Sequence, residues 1–150
     1  MAVYFSARAA AQLAHISPTK LHFWHKKQLV RASVRAQRGR GGGRYYTLLD
    51  VLLICLAAEL SAMGIAISRR RPLLEYLRNL GVEPSEIPAQ AVLISDLAQR
   101  CELVDDAQEA ARRLARMPRA IKISLGQIAR RLLREAAQMR GEGLTIVVPP

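Results

Sequence analysis

Apolar positions recur at helical spacing through most of the first eighty residues, and beyond them short apolar runs alternate with further helical stretches. Ser6 caps a short alanine-rich helix from about Ala7 to Ala14, and His15 falls in the turn that follows. Leu21, Phe23, Trp24 and Leu29 are the packing positions of a second helix, from about Pro18 to Gln28. Ser17 offers its side-chain oxygen to that helix's free amides, and Pro18 sits where a missing N–H costs nothing. Two short extended runs near Ala32–Ala36 and Arg44–Thr47 then flank a tip containing Gly39, Gly41, Gly42 and Gly43. Thr47 caps LLDVLLICLAAELSAM, a helix apolar nearly all round and therefore buried, which Gly64 ends. SRRRPLLEYLRNLG predicts a fourth helix, with Ser68 as its cap or Arg71 as its first residue, and Gly81 as its stop.

The pattern changes after the linker VEPSEIPAQ. AVLIS, CELV and AIKIS are expected strands, Asp105-Asp106 open the helix AQEAARRLARM, and LGQIARRLLREAAQM is another helix. LTIVV is a possible last strand, which completes its own sheet or adds to that of a second subunit. The expected fold is mostly α: four helices and a basic β-hairpin, followed by a small β-β-α-β-α-(β) unit. The corresponding boundaries are 1–81, a linker at 82–89, and 90–150, the last a module for oligomerisation or partner binding. A chain ending at Gly81 is expected to stay folded but monomeric.

Charge sharpens this picture. The net charge is +11. Residues 1–80 hold 13 Lys and Arg against 3 Asp and Glu, whereas residues 81–150 hold 10 against 9. A clustered excess of this kind points to a polyanion partner for the N-terminal half. A basic helix followed by a basic hairpin is the layout of a winged helix-turn-helix, with the helix in the major groove and the hairpin on phosphates. Lys20, His22 and Lys26 would face the groove, and Arg35, Arg38, Arg40 and Arg44 would neutralise phosphates. Trp24 fits the core better than a sugar-stacking role. The glycines lack the G-K-[ST] ending of a phosphate-binding loop. Arg69-Arg70-Arg71 stand at a helix start, where the dipole disfavours cations, and so suggest an external anion.

Catalytic and metal chemistry find little footing. Cys55 and Cys101 have no C-x-x-C spacing, and His15, His22 and His25 form no familiar ligand set with them. Asp105-Asp106 are expected caps, and no catalytic set is apparent. The reading is a non-enzyme without metal or cofactor. Met1–Ala14 lacks the apolar core of a signal peptide, and Leu48–Met63 is too short to span a bilayer. A soluble protein in a reducing cytoplasm, associated with the nucleoid, is expected.

Three ordered motifs resemble the DNA-binding region of the MerR family of bacterial regulators, over Ser6 to about Leu77. ISPTKLHFWHKKQLV is similar to that family's recognition helix, GRYYTLLDVLLI to the end of its wing, and L-x-x-M-G-I-x-I-S to the turn between its third and fourth helices. The resemblance implies a winged helix and a homodimer on double-stranded DNA that controls transcription by distorting promoters. By position His22 stands for the family's arginine, Phe23 and Trp24 for its two tyrosines, and Arg44 and Tyr46 for the wing residues that touch the backbone. Gln28 replaces the usual glycine, and the α/β unit stands where a long dimerisation helix commonly follows. The candidate DNA contacts are Ser17, Thr19, Lys20, His22, Phe23, Lys26, Arg35, Arg38, Arg40, Arg44 and Tyr46. Two other readings suit the same residues: an architectural, excisionase-like factor that bends DNA, and an antitoxin-like subunit whose residues 90–150 grip a second protein.

Overall fold

The computed structural model describes residues 2–35, 43–139 and 144–147. In chain order it has β1 (Ala2–Ser6), α1 (Ala7–Leu13), α2 (Pro18–Lys26), β2 (Val34–Arg35), β3 (Arg44–Tyr46), α3 (Leu48–Ala62) and α4 (Ile67–Leu80). A 3-10 turn at Pro84–Glu86 leads to β4 (Val92–Ser95), β5 (Cys101–Val104), α5 (Ala107–Ala115), β6 (Ile121–Ile123), α6 (Leu125–Gln138) and β7 (Leu144–Val147). The fold is mostly helical, with a small three-stranded sheet in its second half.

The helix boundaries follow local chemistry. Ser6 accepts the amide of Ala9, and Ser17 accepts that of Lys20 at 3.0 Å. Thr47 and Asp50 form a reciprocal capping box at the start of α3. At their C-termini α1, α2 and α3 share one device. The residue after the cap turns left-handed, at His15, Gln28 and Gly64, and the next amide reaches back to a carbonyl in the last turn. Gly81 ends α4 with φ 64°.

Helix α4 departs from both expected starts. It begins at Ile67 behind Ala66, which makes no side-chain cap, and Pro72 lies inside it. Pro72 withholds an N–H from the Ser68 carbonyl, and Ser68 is exposed, so water can take that place. Arg70 reinforces the entry by donating from Nε to the Ile65 carbonyl at 2.7 Å.

Strand β1 carries no sequence signal strong enough to mark it. Its order comes from distant partners, antiparallel β3 on one side (Phe5 opposite Tyr46) and antiparallel β7 on the other (Val3 opposite Ile146). The first sheet therefore runs β2-β3-β1-β7. LTIVV thus joins the first sheet, beside β1, and not the sheet of its own half.

The second sheet, β5-β4-β6, is antiparallel, and every residue of β4 is buried. Val92 and Ile94 pack with Val104, Ala110 and Met117 beneath α5. Leu93, on the opposite face, joins Ile123, Leu125, Ala129 and Leu132 in the main core, together with α1, α2, α3 and α4. Tyr76 of α4 accepts the Leu103 amide at 3.0 Å and ties β5 to the helices.

Candidate nucleic-acid interface

Helix α2 buries one face and exposes the other. Leu21 and Trp24 are almost fully buried. Thr19, His22, Phe23 and Lys26, at i, i+3, i+4 and i+7, form an exposed stripe on the opposite side. Phe23 is 47% exposed, unusual for a large apolar ring, and the Lys27 ammonium lies 5.6 Å from its centroid. Ser17 is exposed at the N-terminus. Lys20 is exposed on the flank of the stripe, its ammonium 5.6 Å from the Trp24 centroid. Trp24 itself is a core residue.

The helix is held from behind by residues that stand far away in the sequence. The Arg70 guanidinium carbon sits 5.6 Å from the centroid of the Trp24 ring, the same ring that the Lys20 ammonium approaches. Arg70 is buried, and burial pulls its pKa below the usual arginine value. Arg71 donates to the carbonyls of Gln28 (2.9 Å) and Lys27 (3.1 Å), just past the end of α2. Two of the three arginines read as awaiting an external anion thus have partners inside the protein. A cation on the last carbonyls of a helix also meets the negative end of its dipole.

Among the described residues, His22 of α2 and Asp50 of α3 each bond to the hairpin. Arg44 Nη1 lies 3.3 Å from Nδ1 of His22, so the guanidinium donates to a ring nitrogen that accepts. The other ring nitrogen, Nε2, then carries the proton. Asp50 fixes the base of the hairpin, accepting Ser33 Oγ at 2.8 Å, the Ser33 amide at 3.0 Å and the Thr47 amide at 2.9 Å.

Of the candidate contacts on the hairpin, Arg44 is half-buried beside His22. The register places Arg35 opposite Arg44. Arg38 and Arg40, with Gly39, Gly41 and Gly42, lie outside the described residues. Tyr46 is corrected. It is 0% exposed and belongs to the core, so its ring cannot touch a phosphate, while the half-buried Tyr45 occupies the outer position of the strand. Alternation along β3 decides this, since neighbouring residues of a strand point to opposite faces.

Asp50, Arg70 and Arg71 are the supporting residues that the sequence does not reveal. Asp50 stands in the resembling motif, but its hydroxyl and amide partners at Ser33 do not follow from spacing. The two arginines bridge more than forty residues and leave no local signal.

Neither cysteine offers a nucleophile. Burial pushes the thiols of Cys55 and Cys101 each up to about 12, so both stay protonated at neutral pH. Among the described residues no group of three or more His, Cys, Asp or Glu could hold a metal ion, and no helix is long and apolar enough to cross a membrane.

Residues 5–77 match the family described as MerR HTH family regulatory protein. Uncharacterized HTH-type transcriptional regulators of Mycobacterium bovis and Mycobacterium tuberculosis are 31% identical over 81 residues, which is 54% of this chain and 36% of theirs. The chain thus spans about a third of the length of the curated relatives it matches.

Proposed function

We propose, from the premise that residues 5–77 form a MerR-type helix-turn-helix domain, that the chain is a DNA-binding transcriptional regulator. Helix α2 enters the major groove with Thr19, His22, Phe23 and Lys26 foremost, and with Ser17 and Lys20 at the groove edge. Arg44, together with Arg35, Arg38 and Arg40 of the hairpin, lies on the flanking phosphates. The observation that carries the reading is the bond between His22 and Arg44, which ties the outward stripe of α2 to the hairpin as one surface. With its proton on Nε2, His22 offers the groove one donor, suited to a purine N7 or a guanine O6. One donor discriminates less than an arginine fork, so phosphate contacts supply most of the affinity.

Selection of bound fragments from random duplex DNA, with non-specific competitor at a stated salt concentration, tests this. A short enriched site is expected. Binding that spreads along any duplex at the same salt would instead favour the architectural reading. Arg44→Ala should lower the slope of log affinity against log salt by about 0.9, and an unchanged slope removes Arg44 from the backbone. Two copies would place their α2 helices about 34–36 Å apart on a two-fold site, with residues 90–150 supplying the contact between subunits. Sedimentation of the full chain checks that assembly.

A further inference from the structure

A second basic surface lies away from α2 and the hairpin. Arg69, at the start of α4, and Arg100, Arg116 and Arg119, from the second half of the chain, line one open cleft of about 740 Å³. All four side chains are exposed. The one acidic residue in the lining is Asp96, and its Oδ1 already accepts the amides of Ala98, Gln99 and Arg100, each at 2.9 Å. Those bonds, that of Arg100 foremost, hold the Asp96 carboxyl below the usual carboxylate range, so it stays charged while committed to its own loop. The cleft keeps a clear positive excess.

Four other arginines of the second half find carboxylates, carbonyls or an imidazole, while Arg134 is exposed and, like the cleft arginines, has none among the described residues. Arg113 meets Glu109 and Glu102, Arg112 meets Glu109, Arg130 meets the Ile87 carbonyl, and Arg131 meets His15. Arg69, Arg116 and Arg119 make no such pair among the described residues. Like charges converging on one cleft repel unless an anion lies between them, and guanidinium forks suit the oxygens of phosphate.

The backbone presenting these groups is well set. Leu97 is left-handed with φ 61°, its amide bonds to Ser95, and the Asp96 amide closes the loop on the Arg100 carbonyl. The Ala120 amide returns to the Met117 carbonyl and forms the turn that carries Arg119. Met117 roots that turn in the core beneath α5.

Through Arg69 the cleft lies one residue along α4 from the side chains that hold the reading helix. Arg69 precedes the two arginines that grip α2, Arg70 against Trp24 and Arg71 on the carbonyls of Lys27 and Gln28. A pocket for a small ligand encloses most of its guest, whereas this cleft is open and its arginines are exposed, as suits a polymer running past. We infer that Arg69, Arg100, Arg116 and Arg119 form a phosphate-binding track that holds duplex DNA beyond the footprint of α2, so that the second half of the chain takes part in binding. The inference rests on the DNA-binding reading above and extends it to residues that reading does not use.

The test compares the full chain with R116A/R119A on a duplex of about one helical turn (~10 bp) and on one of about three turns, across a range of salt. The variant is expected to keep its melting temperature and its binding to the short duplex. On the long duplex its salt slope should fall by about 1.8, or about 0.9 for each lost phosphate contact. Equal slopes for variant and unaltered protein on the long duplex would overturn the track. A parallel arm measures thermal stabilisation by inorganic tripolyphosphate. Saturable stabilisation lost in the variant, with unchanged DNA slopes, would assign the cleft to a small polyphosphate and equally overturn the track. If the unaltered protein binds neither duplex, the DNA-binding reading itself fails, an outcome distinct from both.

Discussion

At the scale of single residues, Asp50 and Gln28 make opposite contributions. Asp50 is buried and accepts three hydrogen bonds that join the base of the hairpin to the start of α3. Asp50→Ala strips the Ser33 and Thr47 amides of their acceptor and removes half of a capping box. It should cost about 2–4 kcal/mol, from a lost cap and amides left short of partners, and denaturant titration reads that loss directly. Gln28 holds φ 59°, a backbone region in which a side chain crowds the neighbouring carbonyl. Arg71 binds only its backbone oxygen. Gln28→Gly should therefore keep that bond and raise stability by up to about 1 kcal/mol, seen as a higher Tm, and a lower Tm would mean that the side chain holds the turn. The caps at Ser6, Ser17 and Thr47 and the turn at His15 were legible because they depend on neighbours within four residues. The fate of Arg70 and Arg71 was not, because their partners lie on another helix.

Helix α6 shows how one element is seated. Gly126, at its second position, donates its amide to the Ala91 carbonyl at 3.0 Å. A Cβ there would overlap the carbonyl oxygens of Pro88 and Ala89, which are backbone and cannot swing aside. Gly126→Ala should push α6 off that loop and lower stability by about 1–3 kcal/mol, with the greatest loss of amide protection in α6 and β4. Protection that stays uniform would show that the loop yields instead. The period of LGQIARRLLREAAQM predicts the helix, but nothing in it marks Gly126 as the point of closest approach. Strand β1 was missed for a related reason. Its five residues acquire a strand's order only from β3 and β7, and β7 lies about 140 residues further along the chain.

For the whole molecule, the two halves share a core. Leu125, Ala129 and Leu132 of α6 are buried in the same cluster as Leu13 of α1 and Leu52 of α3. Each buried leucine contributes about 1.5–3 kcal/mol. A chain ending at Gly81 loses these contacts and the β1–β7 pairing, which weighs against the expectation of a folded monomer. Such a chain should melt without a cooperative transition and lack a near-ultraviolet circular dichroism signal, whereas a sharp transition would show that the first half folds alone. The uneven charge of the sequence marked the first half as the basic one. It could not show that Arg100, Arg116 and Arg119 gather on one side of a nearly neutral second half, since a sum of charges carries no direction. The position of β7 also has a consequence in time. Sixty-six residues separate Gly81 from Val147, and synthesis at about 5–20 residues per second takes about 3–13 s to cross them. Throughout that interval α2 and the hairpin are already made, while β1 still lacks the neighbour on its far side. A nascent chain held at the ribosome before residue 144 should remain open to protease within β1 and β3. Release of the finished chain should close both sites together.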